Sequence, residues 1–454
     1  MAIVTDLDLP VFDYMAPDLT GDVYHQRLAD VRGQGWLARS PLSYVVLDRE
    51  SGEFFLRSKA TAFPGREIAD IFGVTSGPLR AQVDANILNL TGAHHRRLRA
   101  LVGPSFSPRA ADRWRPVMTG FLKQLWAEVA PATSAELVAA VAKPYPSLTI
   151  ATVLGAPAAD APRLHDWSSW VQRQFDIRAL AAELPRIERA TTEVYDYVEA
   201  LLDRRRAAPS DDLISSLLAA EAEGDRLSHG ECVNLVLNVI AGGIDTTQSQ
   251  LAHALRLFAV HPDQWALLAR RPDLVPQAVS EVLRFEPITP FTARICVEQV
   301  EFRGVTFPAG TIVAICAERA NREVAAGADA DGERFDITAV RDDRLLTFGA
   351  GPHYCLGANL ARAELEEALA FLAPRMPGLA LDGAPELGGV EGIYGINALP
   401  LRWSADGPGG ATPRDPPAPM DAASAAAVRD LRWPRGGDPP GSPRTNGCRI
   451  RGSR

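Results

Sequence analysis

The chain has 454 residues, with 47 Lys plus Arg against 56 Asp plus Glu, a formal net charge of −9. An acidic balance of this size argues against a general nucleic-acid binder, which carries a basic excess. Hydrophobic residues make up 46% and charged residues 23%, the composition of a globular chain with a core to bury. The five cysteines, Cys232, Cys296, Cys316, Cys355 and Cys448, are scattered and include no Cys-x-x-Cys pair, which excludes a secreted disulfide scaffold and a structural zinc site as working readings.

In chain order, the N-terminus carries acids where a signal peptide has a basic end, and no apolar segment follows. Residues 43–47 read as a strand. Residues 184–206 place Ile187, Thr191, Val194, Tyr195, Val198, Leu201 and Leu202 at three- and four-residue spacing, a one-sided helical stripe. Residues 211–222 form another such helix. Ser228 with Glu231 three positions on is a capping box, and it opens a helix expected to run unbroken to about residue 260, where Pro262 stops it. The apolar run at 235–244 is interrupted by Asn238, Gly242 and Gly243. It falls short of the ~20 apolar residues that a membrane span needs. Residues 272–285 form a further helix. Strands are expected at 293–296, at 305–307 and at 311–315, the last two flanking the turn signal Pro308-Ala-Gly310. The fold class is mainly α with small β-sheets. The expected protein is cytoplasmic and has no membrane anchor.

Composition changes after Trp403. Residues 406–454 hold nine Pro, eight Gly, eight Arg and five Asp, too little apolar surface to offset chain entropy. The expected organisation is one domain over 1–404 and a disordered Pro/Gly/Arg-rich tail over 405–454.

The sharpest motif is residues 348–357, Phe-Gly-Ala-Gly-Pro-His-Tyr-Cys-Leu-Gly, opening a helix. Gly349 and Gly351 permit tight turns ahead of Cys355, and Gly357 lets the backbone approach something flat. A cysteine just before a helix has N-terminal N–H groups to favour its thiolate. With Phe348, Gly351, Cys355 and Gly357 at this spacing, the chain resembles the cytochrome P-450 family of haem-thiolate monooxygenases, soluble bacterial type. The resemblance covers roughly residues 10–403.

That resemblance implies the P-450 fold, with haem b between the long central helix and the Cys-loop helix, and Cys355 as axial thiolate on the iron, pushing electron density that favours O–O cleavage. It also implies that Glu281 and Arg284, one helical turn apart, pair with a later Arg, here Arg334 of Glu333-Arg334-Phe335, to hold the Cys loop. Gly242 and Gly243 sit mid-helix, where each costs about 1 kcal/mol relative to Ala. Close helix packing is one explanation, and room for O2 over the iron, which the resemblance favours, is the other. The adjoining Asp245 and Thr246 would relay protons. His95, Arg99, Arg294 and His353 would bind the haem propionates, and His94 would be exposed. Gly242, Phe348, Gly349 and Gly357 complete the expected cofactor contacts.

By motif offset the substrate-facing positions are Asn238, Ala241, Ile288, Thr289, Phe291, Ile393, Tyr394 and Ile396. Asn238 either bonds a helix carbonyl or water, or orients the substrate. The expected reaction inserts one oxygen atom of O2 into a mostly apolar small organic substrate. No flavin or nicotinamide motif is visible. The resemblance therefore implies that electrons come from NAD(P)H through a separate ferredoxin and ferredoxin reductase, with Arg96, Arg97, Arg109, Arg113 and Arg115 as a docking patch on a monomer. The alternatives are oxidative coupling or peroxide-driven oxidation on the same fold, or a haem-thiolate ligand sensor that does no chemistry. The remaining cysteines read as small hydrophobes.

Overall fold

The computed structural model describes residues 2–405 apart from Asp225, 324–330 and 342–343; the expected tail, with Cys448, lies outside the described residues. Helices dominate and the sheets are small and peripheral, as the periodicity predicts. The main sheet has five strands in the order Leu37–Arg39, Tyr44–Val46, Ile312–Cys316, Phe291–Cys296 and Thr61–Ala62. Tyr44 pairs with Val313 in parallel, and Phe291 pairs with Cys316 antiparallel. The two strands flanking Pro308-Ala-Gly310 do not form a hairpin. Val305–Phe307 joins Val300–Phe302 and Ala2–Ile3 in a separate sheet. Pro308 has no N–H to extend a ladder, and Gly310 at φ +85° turns the chain into the other sheet.

The helix expected at 184–206 is longer, Ile177–Ala207, because the Asp176 carboxylate accepts the Arg178 and Ala179 N–H groups and caps an earlier start. Pro185 then kinks it, and Glu183 takes the non-helical φ −124°. Its stripe is buried as the spacing requires, except for Tyr195, which is half-buried with its hydroxyl on Asn234 Oδ1 at 2.5 Å.

The capping box at Ser228 and Glu231 forms, but the helix it opens is not continuous. It runs His229–Gly243, breaks at Ile244 (φ −96°, ψ −68°), and resumes as Asp245–Val260. Two carbonyls of the turn before the break accept hydroxyl hydrogen bonds: Ala241 O from Ser168 Oγ at 3.2 Å, and Gly242 O from Thr246 Oγ1 at 2.7 Å. The second segment packs on the Cys-loop helix Ala358–Leu372, which also packs on Arg115–Val129 and Val275–Phe285. This bundle forms the largest of three hydrophobic clusters. Among the described residues no helix is long and apolar enough to cross a membrane. Backbone contacts of the described chain run to Ser404, whose N–H bonds the Pro377 carbonyl at 2.7 Å.

Candidate active site

The Cys loop is built by backbone geometry. Gly349 and Gly351 both adopt positive φ, +70° and +69°. At Gly351 a Cβ would sit 2.9 Å from the Leu56 carbonyl, so no larger residue fits. The Cys355 N–H closes the loop on the Phe348 carbonyl at 2.8 Å. The Phe348 ring lies against Tyr354 and under the Arg362 guanidinium. Cys355 keeps an exposed side chain, yet protein surrounds it at longer range. Burial therefore pushes its thiol up, against the lowering pull of the Gly357 and Ala358 N–H groups and Arg99. The helix N-terminus acts in the expected direction but is outweighed by desolvation.

Four basic groups converge beside this loop. His95 and Arg99 come from the helix Gly92–Val102, Arg294 from the strand Phe291–Cys296, and His353 from the loop itself. The His95 and His353 rings lie 4.2 Å apart. Arg99 bonds the Tyr354 carbonyl, and Arg294 donates to the Ala293 carbonyl at 2.8 Å. Burial lowers Arg294 to about 10. Burial, with His95, Arg294 and Arg99 nearby, brings His353 down to about 3. Burial, with Arg99 and Arg96, also lowers His95. The buried His95 Nε2 has no hydrogen-bond partner. Four basic groups packed together, with no carboxylate among the causes of these shifts, form a site that calls for an anion. Neighbouring His94 is half exposed and meets Glu231 at 2.8 Å.

The glycine pair divides between its two explanations. A Cβ on Gly243 would lie 2.6 Å from Ile150 Cδ1, so this glycine serves helix packing. A Cβ on Gly242 would meet nothing within 4 Å, and the same holds at Gly357. Open space at both, together with the orphaned imidazole nitrogen and the basic cluster, fits a flat dianionic group beside Cys355. The residues present therefore fit haem.

Asp245 and Thr246 stand next to this space but do not bond each other. Thr246 Oγ1 is on the Gly242 carbonyl. Asp245 accepts from Ser169 Oγ at 2.8 Å and lies 3.7 Å from His165 Nε2, both on the helix Ala161–Gln172. Burial raises the Asp245 carboxyl, against the lowering influence of His165, Ser169 and Lys143. Sequence reasoning missed Ser169 and His165. Their four-residue spacing is visible, but only tertiary packing says what they face.

Glu281 and Arg284 form a buried two-bond pair at 2.7 and 2.8 Å. The third arginine is not Arg334. Its side chain is two-thirds exposed and reaches only Asp336 at 3.8 Å, while its carbonyl accepts from Arg284. Arg341 takes the expected place, with Nε 3.1 Å from Glu281 Oε2. The loop turns the Arg334 side chain outward, so proximity to Phe335 was a misleading signal.

The structure places the expected substrate-facing residues in different surroundings. Phe291 stacks on Tyr14 at 4.6 Å, within the cluster under the N-terminal segment. Tyr394 is fully buried, its hydroxyl accepting the Gly21 N–H at 3.0 Å. Ile396 is also core. Alternate residues of an extended segment face opposite ways; Arg294 facing the basic cluster turns Phe291 from it, and Tyr394 turns from Ile393. Ala241 and Ile288 keep little exposure, whereas Asn238, Thr289 and Ile393 are half-buried. The Asn238 Nδ2 is buried without a partner, while Asn234 is satisfied by Tyr195 and the Gly230 carbonyl. Of the expected docking arginines, Arg97 is paired with Glu231, Arg113 with Asp211, and Arg115 with Asp112, Glu366 and Glu367. Cys232, Cys296 and Cys316 are buried, with thiols pushed up to about 12, 11 and 12 by burial.

The cytochrome P-450 family model matches residues 74–372. The luteothin monooxygenase of Streptomyces thioluteus is 36% identical over 399 residues, covering 88% of this chain and 97% of that protein. The mycinamicin IV hydroxylase/epoxidase of Micromonospora griseorubida is 37% identical over 328 residues, covering 71% of this chain and 80% of that protein. The crystal structure of CalO2 superposes with TM-score 0.80 at 32% identity, over 88% of this chain and all of that one.

Proposed function

This chain belongs to the cytochrome P-450 family of haem- and O2-using oxidoreductases, and from that premise we propose that it oxygenates a mostly apolar small secondary metabolite. Electrons come from NAD(P)H through a separate ferredoxin and its reductase, and the enzyme works as a cytoplasmic monomer. The observation that carries this reading is the gathering of His95, Arg99, Arg294 and His353 beside the Cys355 loop; the open face of Gly242, three and four residues before Asp245 and Thr246, supports it. The relatives named for luteothin and mycinamicin IV support a natural-product substrate.

Haem b, when bound, supplies reductive activation of O2 and transfer of one oxygen atom. Cys355 supplies its thiolate ligand, on a loop that Gly349 and Gly351 bend and Phe348 backs. His95, Arg99, Arg294 and His353 hold the propionates, which gives the orphaned His95 nitrogen a partner. Gly242 and Gly357 leave room for the ring plane. Asp245 and Thr246 move protons to the reacting oxygen, a task that needs a hydrogen-bond chain rather than a strong acid. Asn238, Thr289 and Ile393 face the substrate, with Ala241 and Ile288 behind them. An unpaired Asn238 amide costs roughly 1–3 kcal/mol, so a substrate acceptor would be drawn to it. Arg96 and Arg109, the members of the arginine patch without an ion pair above, are the part open to an acidic ferredoxin.

The test is the reduced, CO-bound spectrum. The wild-type chain should show the red-shifted Soret band of thiolate ligation, and Cys355→Ser should lose it. Retention of the band in that variant refutes the assignment.

A further inference from the structure

The helix Ile177–Ala207 is hinged close to its start. Pro185 interrupts its hydrogen-bond ladder and Glu183 leaves helical geometry, so the opening turn is joined to the rest by a kink. The free end of that turn meets the loop 388–395 through the Glu391 carboxyl. Glu391 Oε1 accepts the Ile177 N–H at 2.7 Å, and Arg178 Nε stands 4.0 Å from Oε2. The Glu391 side chain is only 10% exposed. The two segments approach closely beside it, since a Cβ on Gly392 would lie 3.5 Å from the Phe175 carbonyl. Phe175 also meets Phe63 edge-on, with ring centroids 5.9 Å apart. The loop itself is anchored from behind. Gly388 N–H bonds the Gly395 carbonyl at 2.9 Å, Tyr394 N–H bonds the Ile288 carbonyl at 2.7 Å, and Thr20 Oγ1 donates to the Gly388 carbonyl at 2.8 Å. A hinge on one side and an anchored loop on the other make the helix start the part that can move.

We propose that Glu391 is a pH-sensitive latch: protonated, it holds the hinged start of the Ile177–Ala207 helix against the 388–395 loop, and ionised, it releases that start and opens a way in past Ile393. A neutral carboxyl keeps a carbonyl oxygen for the Ile177 N–H and carries no charge into a nearly dry gap. The charged and titratable groups that face it are Asp176 and Arg178 on the helix, and Asp13 and Tyr14 on the N-terminal segment. Burial, with Asp176 and Asp13, raises Glu391 to about 7 against the pull of the Ile177 N–H and Arg178. Burial likewise raises the Tyr14 hydroxyl, which therefore stays neutral. A carboxyl freed into water ionises near 4.5 and the latched one near 7. Rising pH through that window thus favours the open arrangement, by at most ~300-fold. The proposal rests on the reading of Ile393 as substrate-facing on the path to the haem iron.

The test takes the full haem-loaded chain between pH 5.5 and 8.5 with two readouts. One is amide hydrogen exchange of residues 175–183, scaled by the intrinsic rate at each pH. The other is the stopped-flow association rate of 1-phenyl-1,2,4-triazole, an azole uncharged over this range whose nitrogen binds the haem iron. In the wild-type chain both should rise together with pH, the association rate by up to roughly thirtyfold. Glu391→Gln keeps the acceptor and cannot ionise, so both readouts should stay low and flat. Glu391→Ala removes the latch, so both should be high and flat. Scaled exchange that does not change with pH in the wild-type chain, or that still changes in Glu391→Gln, refutes the latch. If exchange follows pH while the azole rate does not, the helix start is latched but does not guard the path past Ile393, and the gating role is refuted. If the azole gives no iron-binding spectrum at any pH, it is the haem reading that fails, and the exchange profile still decides the latch.

Discussion

At the scale of single residues, the arginine that completes the Glu281–Arg284 pair shows how charge is assigned by geometry. Glu281 accepts two bonds from Arg284 and one backbone N–H from Asp336, with Arg341 closing the remaining side. Removing one partner of a fully buried pair costs ~3–5 kcal/mol. Arg341→Ala leaves Arg284 in place, so the expected loss is about 2–3 kcal/mol in urea unfolding, with weaker haem retention. Arg334→Ala removes an exposed side chain and should stay within ~0.5 kcal/mol of wild type. Equal effects would mean that Arg334 supplies the charge after all. Glu391 makes a second residue-scale case. Burial first, then Asp176 and Asp13, raise it from 4.5 to about 7, while it accepts the Ile177 N–H at 2.7 Å. An acid whose folded pKa is raised favours the protonated form on folding, so its penalty is absent below about 4.5 and grows as pH rises to about 7. Glu391→Gln keeps an acceptor for Ile177 and should stabilise the protein at pH 8 by about 1–3 kcal/mol, with no gain at pH 4. A gain that does not depend on pH would refute this account.

At the scale of elements, the break at Ile244 decides what the central helix can do. Sequence periodicity predicts one helix over 228–260, since no Pro interrupts it and two glycines alone do not stop a packed helix. The structure divides it, and the glycines divide with it. Gly243→Ala puts a methyl group against Ile150. The resulting strain, roughly 1–3 kcal/mol, exceeds the ~1 kcal/mol of helix propensity gained. A lower melting temperature is expected. Gly242→Ala meets no atom, so the haem-free chain should be as stable or more stable, while turnover of the loaded enzyme falls because the methyl group occupies the open space. Opposite results for the two variants would exchange their roles. The same element explains why Ser169 and His165 were not foreseen. A hydroxyl and an imidazole on an amphipathic helix carry no signal until the neighbouring helix is placed.

At the scale of the whole molecule, the described chain packs up to Trp403 and Ser404, where Trp403 N–H bonds the Thr133 carbonyl and its side chain is buried. From composition alone we propose that residues 405–454 are not needed for the activity. A chain ending at Ser404 should match the full chain in melting temperature, haem content and turnover. A large fall in melting temperature on truncation would show that the tail docks.

The local patterns were enough for the helix stripes, the capping box at Ser228 and the turns of the Cys loop; that positions 95, 99, 294 and 353 belong together was implied by the family resemblance alone, since they lie on three separate elements. Each of the local patterns depends on spacing within one element, or on a motif whose glycines have only a few allowed conformations. What depends on how separate elements meet was decided only by the tertiary structure. Arg341 replaced Arg334 because a loop turned. Phe291, Tyr394 and Ile396 went into the core because alternate residues of an extended segment face opposite ways. The paired arginines of the expected docking patch found acids far away in sequence, Glu231 and Glu366 among them. Periodicity records which face of an element is apolar; it carries no information about which neighbour covers that face, and partner choice in this protein follows from that neighbour.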